Sequence, residues 1–264
     1  MRWRAKLCAG LLCLACLPAL ACSIQAAYTS RELVRSALLP QRDAGLRSLE
    51  NELAFRSRCA LHLLSLPLAR VWYQFRFGGV DLVIAARPTP ERDQQGLFVP
   101  IVNVRYVMLH ARPPSAEDAG SLAALVRRGQ RLGVVRGTEY PAEIQTHLQA
   151  LRARGLLQEV SDVDKQLRML RAGRIDALLQ TAVSYLRLQE GAATTRFQAM
   201  PLKELPATPA GVYLSQRLDA PDRERLREAL VEMAQDGYVM KLLEARYGTQ
   251  VRKFFVPIAG SGKS

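Results

Sequence analysis

Short apolar runs alternate with amphipathic stretches along most of this chain, and that alternation limits its fold more than any other feature. Asp43 to Arg58 carries Leu46, Leu49, Leu53 and Phe55 among polar residues and predicts a helix. Ala60 to Ser65 predicts a strand, and Ala69 to Phe77 a helix closed by Gly78-Gly79. Val80-Asp81-Leu82-Val83-Ile84-Ala85 is a short apolar run between turn signals, as in a buried parallel strand. Val102 to Leu109 predicts another strand. The rhythm then resumes: helix Ser121 to Arg128, strand Arg131 to Val135, helix Pro141 to Arg154, strand Leu157 to Val160, helix Val163 to Ala172, strand Ile175 to Leu179. Strands and helices of this size in alternation imply parallel βαβ units, an α/β architecture.

Two Pro-rich stretches, Ala111-Arg112-Pro113-Pro114 and Leu205-Pro206-Ala207-Thr208-Pro209, stand where the chain would cross between two lobes. The second leads into a strand-like Gly211-Val212-Tyr213-Leu214. A long amphipathic helix or helix pair from Pro221 to Tyr247 follows, broken near Gly237. The expected organisation is one lobe from residues 28–111 and 205–264, with a second from 112–204. No fixed-period repeat is present.

The start of the chain reads as an address. Arg2, Arg4 and Lys6 precede an apolar run from Leu7 to Ala21, with small residues at Ala19-Leu20-Ala21 and again at Gln25-Ala26-Ala27. That is the layout of a secretory signal peptide, expected to span residues 1–27, with export to the periplasm as a soluble protein. Ala19-Leu20-Ala21-Cys22 loosely resembles a lipoprotein box, with its leucine one place late. With that boundary, four of the five cysteines fall in the leader, and Cys59 is expected to be a buried thiol without an internal partner.

The net charge is +13, and removing the three basic residues of the leader leaves +10. The arginines are dispersed over the predicted helices and mixed with acids, and no aromatic-interleaved basic motif appears. An Arg-rich solvated surface, not nucleic-acid binding, is expected. His62, His110 and His147 match no metal spacing, so no metal or other cofactor is expected. No nucleophile elbow, P-loop or dinucleotide fingerprint is present. Asp81 and Asp176, each early in a predicted strand, are expected to tie strand starts rather than act chemically.

Four segments, in order, resemble extracellular solute-binding proteins of family 3, the periplasmic amino-acid receptors of ABC transporters. Gly79-Val80-Asp81-Leu82-Val83 with Pro88-Thr89-Pro90-Glu91-Arg92 resembles the family's first-lobe passage. Leu132-Gly133-Val134-Val135-Arg136-Gly137-Thr138 resembles the opening strand and turn of its second lobe. Leu170-Arg171-Ala172-Gly173-Arg174-Ile175-Asp176-Ala177 and Ala234-Gln235-Asp236-Gly237 with Arg246-Tyr247-Gly248 resemble later motifs. The resemblance implies a two-lobe periplasmic-binding fold of type 2 with two crossover strands. It also implies a monomer that closes on a ligand and is read by a membrane permease or sensor.

The ligand set this implies is Arg87, Thr89, Arg92, Gly137, Thr138, Glu139, Gln180 and Thr181, with Arg92 gripping a carboxylate in bidentate fashion. Backbone N–H groups near Gly137 would supply a second anion cradle. Two departures qualify the ligand. Gln180 or Thr181 stands where family members place the carboxylate that meets a ligand's ammonium, and Arg87 replaces a small hydroxyl residue. A small anionic or amino-acid-like solute is expected, with an anion lacking an ammonium preferred. The competing expectations are a dehydratase-like enzyme using Arg92 with Glu139, and a degenerate sensor or scaffold domain that binds nothing small.

Overall fold

The computed structural model describes residues 22–29, 45–136, 138, 140–190 and 197–258. The chain runs β1 (Ser23–Tyr28), α1 (Leu49–Ser57), β2 (Ala60–Leu64), α2 (Leu68–Phe77), β3 (Leu82–Ala86), α3 (Pro90–Asp93), β4 (Gly96–Val104) and β5 (Tyr106–His110). It continues as α4 (Leu122–Arg128), β6 (Leu132–Val135), α5 (Ala142–Ala153), β7 (Leu157–Val160), α6 (Val163–Arg171), β8 (Ala177–Thr181), α7 (Ala182–Glu190) and β9 (Gln198–Pro201). Then come β10 (Thr208–Ser215), α8 (Ala220–Gln235), α9 (Tyr238–Tyr247), a 3-10 turn (Thr249–Lys253) and β11 (Phe255–Val256).

The strands form two sheets. The first has the order β11-β4-β10-β3-β1-β2, and the second β7-β6-β8-β5-β9. β1, β2 and β3 are parallel, as are β6, β7 and β8, while β10 and β5 run antiparallel to their neighbours. β3 is apolar throughout because both of its faces are covered. Leu82 and Ile84 enter the core shared with α1, α8 and α9, whereas Val83 and Ala86 join Val71 and Phe75 of α2 on the other face. The main core continues into the second lobe through Val107, Leu109 and Leu178.

Asp81 and Asp176 do the same work in the two lobes. Asp81 Oδ2 accepts the Gln25 N–H at 2.8 Å, and Asp176 Oδ2 accepts the Arg131 N–H at 2.8 Å. Their backbone N–H groups donate to the carbonyls of those same residues, and their carbonyls accept from Ser215 and Ala111. Each aspartate thus joins the start of the preceding parallel strand to an antiparallel strand on the other side.

Three expectations are corrected. The strand expected over Val102 to Leu109 is two strands in different sheets, so the first crossing lies at Arg105, not at residues 111–112. Its N–H donates to the Phe254 carbonyl, and its carbonyl accepts from Ala182, which ties both lobes to that one residue. The last residues of the expected leader belong to the fold. Residues 23–28 form β1, hydrogen-bonded between β2 and β3, with Ala26 and Ala27 fully buried; cutting after Ala27 would remove a central strand. Cys59 is not a lone thiol, because it is bridged to Cys22 with the Cα atoms 4.7 Å apart. The register that pairs Ser23 with Ala60 places the two cysteines side by side one residue earlier. The bridge also uses the Cys22 sulfur that a lipid thioether would need.

The strand expected at Ile175 to Leu179 lies two residues later, while α7 and β9 were not anticipated. Among the described residues no helix is long and apolar enough to cross a membrane.

Candidate functional site

The parallel strands of both lobes end toward the two crossings. β4 ends at Val104, one residue before the first crossing, and β10 begins the return at Thr208, paired with Val104. In the second sheet Tyr106 pairs with Thr181 at the end of β8. Ligand sites in α/β sheets gather at such carboxyl ends.

Ala85 adopts a left-handed φ of 61° near the end of β3, an unfavourable conformation for a residue with a Cβ. Its carbonyl accepts the Thr29 hydroxyl at 2.9 Å. Two residues on, the Arg87 Nη1 donates to the Thr208 hydroxyl at 3.0 Å, and its guanidinium carbon stands 4.4 Å from the centre of the Tyr106 ring. The Tyr106 and Tyr140 rings are 5.8 Å apart. Burial raises the pKa of both phenols and pulls the Arg87 guanidinium below its ordinary value. Arg87 of the first lobe is thus linked through two rings to the turn after β6.

Thr89 caps α3, its hydroxyl accepting the Arg92 N–H at 3.3 Å. The Tyr213 hydroxyl holds this turn from β10, accepting the Thr89 N–H at 3.1 Å and donating to Asp93 at 2.6 Å. Burial, with Asp93 beside it, pushes that phenol up to about 12. Arg92 Nη1 donates to the Arg87 carbonyl at 3.1 Å, and its guanidinium lies 4.1 Å above the Trp72 ring.

The structure therefore brings Arg87, Thr89 and Arg92 together on the first lobe, with Thr138 and Thr181 across the crossing. Thr181 caps α7, its hydroxyl accepting the Ser184 N–H at 3.2 Å. Gln180 goes elsewhere. Its buried side chain donates to the Gln166 amide oxygen, and Gln166 in turn donates to the Gly133 carbonyl at 2.7 Å. Gly137 and Glu139 lie outside the described residues.

Sequence reasoning missed Tyr106, Tyr140 and Thr208. Trp72, on α2, supports Arg92. The spacing of these residues carries no signal, because the topology rather than the local sequence assembles them. A separate pocket near the crossing, lined by Leu49, Ile84, Ile101, Val183, Leu186 and Phe255, is wholly apolar and offers a charged solute nothing.

No protein-family model and no curated protein matches this chain. Solved structures do. An ancestral arginine-binding protein bound to arginine is 18% identical with a TM-score of 0.58, over 87% of this chain and 100% of that one. The chain has the two-lobe periplasmic-binding-protein fold. A histidine kinase sensor domain with similarity to periplasmic binding proteins is 18% identical with a TM-score of 0.62, over 90% of this chain and 99% of that one. A putative L-cystine ABC transporter protein from Listeria monocytogenes is 16% identical with a TM-score of 0.61, over 87% of this chain and 98% of that one.

Proposed function

We propose that this chain is an exported receptor whose two lobes close on a small anionic or amino-acid-like solute, binding it without turnover. The carrying observation is the column of Arg87, Tyr106 and Tyr140, which joins one lobe to the other at the crossings. A solute held there would contact both lobes at once, and contacts made only in the closed form would favour closure. The Cys22–Cys59 bridge supports export to an oxidising compartment. The leader then ends before Cys22, at the small residues Ala19-Leu20-Ala21.

The closed form would be read by a membrane partner, an ABC-type permease or a sensor. Both kinds of system are named among the structural neighbours.

Two measurements test the reading. Thermal unfolding with small carboxylates, inorganic anions and amino acids should show stabilisation by at least one compound, about 2.7 kcal/mol at 100 times its dissociation constant. Small-angle scattering with that compound should show a smaller radius of gyration. A flat panel would reject the receptor and leave a domain that binds no small solute.

A further inference from the structure

The solute-binding reading leaves the class of solute open, and Arg87 narrows it. This side chain touches both connections between the lobes: Tyr106, the first residue after the outward crossing, and Thr208, the first of the returning strand. Among the described residues no carboxylate forms an ion pair with its guanidinium, whose observed neighbours are the neutral Tyr106 ring and the Thr208 hydroxyl. A partly desolvated cation without a counter-charge is costly, and a bound anion would offset that cost.

The facing end of the second lobe offers the complement of this pattern. Gln180, which with Thr181 stands where the resemblance leads one to expect an ammonium-binding carboxylate, is engaged inside its own lobe with Gln166. Thr181 is occupied as the cap of α7. The side chains that end β8, Gln180 and Thr181, therefore offer an ammonium no carboxylate. Arg92 already donates to the Arg87 carbonyl and lies on Trp72, so it holds the Arg87 backbone in place.

We infer that Arg87, with its planar fork set by Tyr106 and Thr208, is the anion-recognising residue of this receptor, and that its solute is an organic carboxylate lacking an ammonium group. Through Thr208 and Tyr106 the bound carboxylate also bears directly on the two connections that must bend when the lobes close.

Calorimetry on the protein with succinate, glutarate, L-glutamine and L-arginine tests this. The expected result is binding of at least one dicarboxylate more tightly than either amino acid. Arg87→Met should then weaken that binding at least 100-fold. Arg87→Lys, which keeps the charge but loses the fork, should weaken it about tenfold. Thr208→Val leaves Arg87 intact but frees its orientation, and should cost about threefold; it serves if Arg87→Met fails to fold. An amino acid binding as tightly as either dicarboxylate, or dicarboxylate binding unchanged in the Arg87 and Thr208 variants, overturns the inference while the receptor reading stands. Binding of none of the four probes overturns the inference, and a flat response to the wider panel removes the receptor reading as well.

Discussion

His110 ends β5 with only 4% of its surface exposed, and its Nε2 accepts the Gly120 N–H at 3.4 Å. That bond requires an unprotonated nitrogen, and burial lowers the imidazole pKa from 6.5 to about 4. The unfolded chain therefore takes up a proton before the folded one does. Stability from this group is complete above pH 6.5, falls as pH drops from 6.5 toward 4, and is gone below that. Between pH 6.5 and pH 5, before most carboxylates titrate, the loss should be about 2 kcal/mol. Urea unfolding at pH 7 and pH 5 should show that drop in the native protein, and His110→Gln should flatten it. An equally steep drop in the variant would mean that another group is responsible. Ala85 is another residue whose chemistry runs against its position, since its left-handed φ aims the chain from β3 toward Arg87 at the expense of local strain.

β10 shows how an element can depend on one position. A Cβ on Gly211 would lie 2.0 Å from the Val99 carbonyl oxygen, on a neighbouring backbone that cannot swing aside. The ladder shifts register at this same residue on both of its edges. Gly211→Ala should cost about 2–3 kcal/mol by overpacking. Gly155→Ala, at a φ of 69° with nothing within 4 Å, should cost only about 1 kcal/mol of backbone strain. Denaturant midpoints would rank the two, and equal costs would contradict the packing account. The elements as a class were largely legible, because strands such as β3 and β6 are short apolar runs bounded by Gly or polar turns. The crossing at Arg105 was not. Val104-Arg105-Tyr106 holds no Gly or Pro, and the change of sheet depends on backbone bonds to Phe254 and Ala182 that local sequence does not encode. β1 was hidden because its Ala26-Ala27 resembles a cleavage site as closely as a buried strand. The site was half legible: the Thr89 cap and Arg92 lie in a recognisable turn, whereas Tyr106, Tyr140 and Thr208 meet only through the fold.

At the scale of the molecule, the first sheet closes around a strand that arrives early in the chain and must pair with segments made later. β1 lies between β2 and β3, and the bridge joins Cys22 to Cys59 at the starts of β1 and β2 across a separation of 37 residues. In the unfolded chain this closes a long loop and removes conformational freedom that folding would otherwise have to remove. The chain-entropy relation gives about 4 kcal/mol for a loop of this size. The effect belongs to the loop and not to either sulfur. Cys22→Ser, Cys59→Ser and the double variant should therefore lose the same amount, with the second substitution adding almost nothing. Guanidinium unfolding of the three variants against the oxidised protein checks this. Three equal losses would place the bridge's contribution in the unfolded state; a double variant as unstable as the sum of the singles would place it in the packing of the thiols, each buried in the folded core.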